Sequence, residues 1–230
     1  MLALRVFPAA ALALCVIASV ASAGTYAVSA SCDNSNVISV SWTFYEYPPN
    51  PTGHPEWVGW DVYRQSLTDC GSFVRVSSSP FARTPGATEG FTFTEAAPSQ
   101  GTTFKYRVIP VDASRNEVNL GANCEFCAPN GWVSCPELSA PLTQGTLTDI
   151  GWALLVNPCA GSCYDAFYIS PIPESLKPFA GTDTGLRLFG SAGCGTVEGC
   201  ALTVDHFDVV NCGPVPALRA SWGRVKATYR

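Results

Sequence analysis

A chain of 230 residues with 18 acidic against 13 basic side chains carries a net charge of −5, which repels a phosphate backbone and argues against a nucleic-acid partner. Charged residues are 13% of the chain, below the ~25% usual in globular domains. The 20 glycines and 18 prolines favour short strands joined by turns over long helices.

The N-terminus has the three parts of a bacterial-type secretory signal. Arg5 supplies a positive charge, Phe7 to Val20 is an apolar run, and Ala21-Ser22-Ala23 offers small residues to a signal peptidase. The run is shorter than the ~20 residues that span a bilayer, so cleavage after Ala23 is expected. An uncleaved anchor is one alternative. A lipoprotein built on Cys15 is another, although Leu14 is larger than the residue such processing prefers. Residues 24–230 would then be the mature chain, with 12 basic and 18 acidic residues. That length suits one large or two small domains, and no later stretch is long and apolar enough for a membrane span.

Five segments alternate apolar with polar side chains or are rich in β-formers. Val37 to Thr43, Trp60 to Arg64, Phe73 to Val76, Gly90 to Thr94 and Thr103 to Ile109 each read as a strand, and turn residues separate them. Short strands at this spacing predict a β-sandwich. The order Val40-Ser41-Trp42, then Gly59-Trp60-Asp61-Val62-Tyr63-Arg64, then Gly101-Thr102-Thr103-Phe104-Lys105-Tyr106-Arg107-Val108 resembles a fibronectin type III domain over about Tyr26 to Cys127. The resemblance implies that Trp42 fills the core, that Trp60 to Arg64 is strand C and that Gly101 onward opens strand F. Modules of this kind mostly space or bind. Two departures stand out. Phe104 holds a corner position where the family usually has tyrosine, and Pro110 removes an N–H late in strand F, where the strand should end or bulge.

Between the first and second segments lies a proline-rich loop, Phe44 to Gly59, with Pro48, Pro49, Pro51 and Pro55 among Tyr45, Tyr47, His54 and Trp57. Prolines reduce the ordering entropy of a loop, and aromatic rings give flat contact area for a sugar or a protein. Tyr45, Tyr47, His54 and Trp57 are therefore the candidate binding residues. The alternative is that these rings fold back over the end of the sandwich.

The second half is also β-like. Thr143 to Val156 reads as one long strand bent at Gly145 and Gly151. Tyr164 to Ser170, Gly185 to Gly190 and Ala201 to Val210 read as three more, the last with Phe207 and Val209 out of phase, as at a bulge. This arrangement resembles a small OB-type barrel, a fold that binds oligonucleotides or oligosaccharides on one face. Lys177 and Arg187 are its basic residues, too few for a nucleic-acid groove. A basic tail with Arg219, Arg224, Lys226 and Arg230 closes the chain.

Ten cysteines remain after the signal: Cys32, Cys70, Cys124, Cys127, Cys135, Cys159, Cys163, Cys194, Cys200 and Cys212. An even number in an exported chain predicts disulfides. Spacing suggests Cys159–Cys163 and Cys194–Cys200 as local staples, Cys32–Cys70 within the first domain and Cys135–Cys212 across the second. Cys124-x-x-Cys127 with Cys135 could instead supply three zinc ligands or a redox pair, but no histidine lies nearby and no helical pattern follows, so no metal is expected.

Signals for catalysis are sparse. The chain lacks Gly-x-Ser-x-Gly, a P-loop and a dinucleotide fingerprint, so no cofactor is expected. Its histidines are His54 and His206. Asp205 precedes His206 on a predicted strand, where neighbours face opposite sides. Glu46, Glu56, Glu89 and Asp165 are possible acid–base carboxylates by composition alone.

The expectation is an all-β protein: a signal peptide over 1–23, a fibronectin type III-like sandwich over 24–129, a small disulfide-rich β domain over 136–216 and a basic tail over 217–230. It is expected to be a non-enzymatic secreted or surface-associated module that binds a protein or polysaccharide. A structural component of an extracellular assembly and a small hydrolase or hydrolase accessory are the alternatives.

Overall fold

The computed structural model describes residues 24–45, 57–84, 87–98, 102–118, 124–135, 140–196 and 199–212. The expected signal and basic tail lie outside these residues. The described chain is all-β, with two packed sheets followed by a closed barrel.

The sandwich is built from β1 (Gly24–Cys32), β2 (Val37–Tyr45), β3 (Gly59–Ser66), β4 (Val74–Arg75), β5 (Phe81–Ala82), β6 (Glu89–Ala96), β7 (Thr103–Val111), β8 (Cys124–Ala128) and β9 (Asn130–Ser134). One sheet runs β6-β2-β1-β8, and the other runs β4-β3-β7-β9 with β5 paired to β3. Alternation explains the packing. Ile38, Val40, Trp42 and Phe44 point inward from β2 and meet Trp60, Val62, Tyr106 and Val108 from the opposite sheet. Trp60 is the centre of an aromatic cluster, in T-shaped contact with Tyr26 at 4.7 Å and Trp57 at 4.8 Å between ring centroids.

Polar groups are paired within and between these sheets. Asp61 is fully buried and accepts hydrogen bonds from Ser77 Oγ at 2.8 Å and Arg115 Nε at 2.9 Å. Glu95 accepts from the Tyr106 hydroxyl and from Arg64 Nη1 at 2.7 Å. Burial, then the Glu95 hydrogen bond, pushes the Tyr106 hydroxyl well above its usual range, and burial does the same to Tyr26.

Pro110 does not end its strand. β7 continues to Val111 and pairs Pro110 with Trp60. The odd-numbered carbonyls of Thr103 and Val111 accept bonds from Leu67 and Val58, on the β3 side, whereas Val108 N donates to Pro129 O and Pro110 O accepts from Val118 N. Pro110 therefore faces away from β3, beyond Arg107, where the β9 ladder has already stopped, so its missing N–H breaks no rung.

The barrel consists of β10 (Thr143–Asp149), β11 (Leu154–Pro158), β12 (Tyr168–Ile169), β13 (Gly185–Thr196) and β14 (Gly199–Val210), closed in the order β10-β11-β12-β14-β13. β12 runs parallel to β14 and the remaining pairs are antiparallel. A single 3-10 turn, Lys177–Phe179, lies between β12 and β13. The expected long bent strand over 143–156 is instead a hairpin, because Gly151 takes φ +93° in a turn. Its other glycine, Gly145, lies in the ladder, where a Cβ would strike the Asn157 backbone. The expected bulge in the last strand is present. Phe189 pairs with His206 and Gly190 with Val204, which leaves Asp205 as the extra residue.

Sandwich and barrel share a core. Leu67 and Trp132 come from the sandwich yet pack with Leu142, Leu147, Leu154, Phe167 and Leu186 of the barrel region. Asp165 accepts from Trp132 Nε1 at 2.6 Å and from Lys105 Nζ at 3.0 Å, and Thr103 Oγ1 donates to Pro141 O at 2.6 Å.

The disulfides differ from three of the four pairings suggested by spacing. Cys32 joins Cys135, Cys70 joins Cys163, Cys159 joins Cys212, and Cys194 joins Cys200. Among the described residues, only the last of these is a local staple. Topology accounts for the rest. Cys32 at the end of β1 sits beside Cys135 at the end of β9, and Gly185 at the start of β13 pairs with Val210, which brings Cys212 toward the β10–β11 end. Cys70–Cys163 bridges sandwich and barrel. Cys135 is thereby consumed and cannot join Cys124 and Cys127 around zinc.

Candidate functional site

Of the four loop residues selected from the sequence, the structure describes Tyr45 and Trp57. Trp57 is 3% exposed, its Nε1 donates to Gly59 O at 2.7 Å, and it is packed by Phe44 and Trp60. Arg83 lies over its ring at 4.2 Å. Its bulk serves the core, which removes it from the expected binding set. Tyr45 is exposed at the end of β2. Tyr47 and His54, like Glu46 and Glu56, lie outside the described residues.

The barrel presents a different aromatic site. β10 and β11 are joined by a tight turn in which Gly151 N donates to Asp149 Oδ1 at 2.7 Å and Ile150 N donates to Ala153 O at 3.1 Å. Ala153 is fully buried and anchors the turn, while Trp152 beside it is 48% exposed. The Trp152 ring leans over Tyr168 of β12, with centroids 5.4 Å apart and planes inclined by 33°.

Register extends this platform across the barrel wall. Thr148 pairs with Leu155, Leu155 with Tyr168, Tyr168 with Ala201 and Ala201 with Gly193. These residues form one row on the outer surface, because their neighbours Leu147, Leu154, Ile169 and Leu202 fill the core. Asn157 Nδ2, in the adjoining row, donates to Thr148 Oγ1 at 2.9 Å. The row carries no charge. An exposed indole, a tyrosine beneath it and flanking hydroxyl and amide groups can stack on an apolar ring face and hydrogen-bond neutral polar groups at its rim.

The described carboxylates among those weighed as acid–base groups, Glu89 and Asp165, do not converge here. Both oxygens of Asp165 are engaged by Lys105 and Trp132, and Glu89 accepts from the Thr84 backbone N–H at 3.0 Å. His206 is exposed and stacks on Phe189, with centroids 4.2 Å apart. Among the described residues, no group of three or more histidine, cysteine and acidic side chains is placed to hold a metal ion.

Sequence reasoning missed Trp152 because it was counted into a continuous strand. The signal that could have found it was Asp149-Ile-Gly-Trp, a turn signature that would have put the indole at a hairpin tip.

No family model matches the chain, and neither a curated protein nor a solved structure is significantly similar to it.

Proposed function

We propose that this protein is a non-enzymatic, secreted or surface-associated binding module whose barrel recognises a neutral sugar chain of an extracellular polysaccharide. The observation that carries the reading is the exposed Trp152 ring set over Tyr168 on an uncharged row of the barrel wall. Sugar rings present apolar C–H faces to aromatic rings and hydroxyls to neutral polar groups, and the row from Thr148 to Gly193 supplies both kinds of contact.

The strand order supports the two family resemblances. The β10-β11-β12-β14-β13 closure with a parallel β12–β14 pair suits an OB-type barrel, in which the face of the second and third strands and the loop between the first two hold the ligand. Trp152, between the first two barrel strands, and Tyr168, on the third, suit those positions. The orders β6-β2-β1 and β4-β3-β7-β9 suit the fibronectin type III reading. Among the described residues, four disulfides and no helix long and apolar enough to cross a membrane are consistent with an extracellular location.

Titration of the mature oxidised protein with soluble neutral oligosaccharides, followed by tryptophan fluorescence, tests the reading. Saturable quenching or enhancement that disappears in Trp152→Ala supports it, and an unchanged response in Trp152→Ala overturns it. A spacer role is the second reading, favoured by the Cys70–Cys163 bridge and the shared core, which hold sandwich and barrel as one stiff unit.

A further inference from the structure

The outer surface of the β6-β2-β1 sheet differs from the barrel wall. Because Ile38, Val40, Trp42 and Phe44 turn inward from β2, Ser39, Ser41, Thr43 and Tyr45 turn outward. Their cross-strand partners complete a grid. Ser31, Ser39 and Thr94 form one row, and Ser29, Ser41 and Thr92 form the next. Ala27, Thr43 and Gly90 form a third, and Tyr45 stands exposed beyond it. Ser41 Oγ and Thr92 Oγ1 lie 3.5 Å apart. Sheet geometry spaces the backbone positions that carry these hydroxyls by about 4.8 Å between strands and about 6.8 Å along them.

Two further features single this face out. None of these outward residues is charged, although the chain carries 18 acidic and 13 basic residues. A shallow depression of about 320 Å³ also lies on it, lined in part by Ala27, Ser29, Ser41, Thr43 and Tyr45.

We infer that this hydroxyl grid, with Tyr45 at its end, is a second polysaccharide-contact surface that lies against an insoluble neutral polymer. Each serine and threonine hydroxyl both donates and accepts a hydrogen bond, which matches the hydroxyl groups of a neutral glycan. A face without charges sets up no unpaired ion on contact with such a polymer. Tyr45 adds an exposed ring for stacking on a sugar face. The grid shares its ligand class with the barrel site but uses none of the same residues, so each can fail alone.

Retention of the oxidised full-length mature chain on chitin and on amorphous cellulose particles tests the inference. The wild type would run beside Ser29→Glu/Thr92→Glu, Ser41→Ala/Thr92→Ala, Tyr45→Ala and Trp152→Ala, with thermal melts to show that each variant folds. The inference expects the double glutamate variant to lose at least tenfold in retention and Tyr45→Ala and Ser41→Ala/Thr92→Ala to lose several-fold, with the Trp152 response to soluble oligosaccharides unchanged. Wild-type retention by a folded double glutamate variant would overturn it. Absence of wild-type retention on both polymers would overturn it as well, whatever the soluble titration gives. Loss confined to Trp152→Ala would locate all binding on the barrel and also overturn it.

Discussion

Trp152 lies over Tyr168 with ring centroids 5.4 Å apart, yet the first is half-exposed and the second almost buried. The pair therefore divides into a contact group and its support. Tyr168→Ala is expected to destabilise the barrel by about 3 kcal/mol through the lost packing. Trp152→Ala is expected to change stability by less than about 1 kcal/mol, as at other surface positions. Urea unfolding of the two variants checks the asymmetry, and equal losses would mean that Trp152 serves the fold.

Trp132 belongs to the sandwich by sequence and to the barrel by packing. Its ring meets Phe167 at 5.1 Å and its Nε1 donates to Asp165. Trp132→Ala is expected to cost about 3–5 kcal/mol. Trp132→Phe keeps most of the packing but leaves an Asp165 oxygen with one partner fewer, for a loss of about 1–3 kcal/mol. Calorimetric melts of both variants provide the comparison.

Loop length ranks the disulfides. Cys32–Cys135 closes a separation of 103 residues and Cys194–Cys200 one of 6. Chain entropy assigns about 4–5 kcal/mol to the first and about 2 kcal/mol to the second. Paired serine replacements, compared by denaturant unfolding, should show the larger loss for Cys32→Ser/Cys135→Ser.

Alkaline pH should also unfold the protein by a defined route. Burial raises the hydroxyl pKa of Tyr26 and Tyr106 in the folded state, and the Glu95 hydrogen bond raises that of Tyr106 further. An unfolded tyrosine ionises near pH ~10. The neutral folded forms thus hold their full stability below that pH and lose it as pH rises above it, by about 1.4 kcal/mol per pH unit for each group. Tyr26→Phe should flatten this decline. A decline of unchanged slope in that variant would exclude Tyr26 as a source.

Much of the sandwich was legible because its strands have two different faces. Val37 to Thr43 and Thr103 to Ile109 alternate since one side meets a core, and the structure places β2 and β7 there. The barrel was harder. The segment from Tyr164 shrinks to a two-residue strand at Tyr168–Ile169, and a Gly-Trp turn was hidden in a run of β-formers. Cysteine pairing was illegible because β1 and β9, far apart in sequence, lie side by side in space. Trp57 was read as a contact residue since a proline-rich loop says nothing about which ring folds inward. The uncharged grid was invisible for a similar reason: serines spaced by two acquire meaning only when register sets three strands side by side.

The central claim is that Trp152 is the contact group of a sugar-binding wall. Its most direct test is isothermal calorimetry of the oxidised mature protein with neutral oligosaccharides, wild type against Trp152→Ala, with Trp57→Phe as a control for a buried indole. The account predicts binding by wild type and by folded Trp57→Phe, and its loss in folded Trp152→Ala. Equal binding by Trp152→Ala and wild type, or no wild-type binding to any neutral glycan, would contradict it.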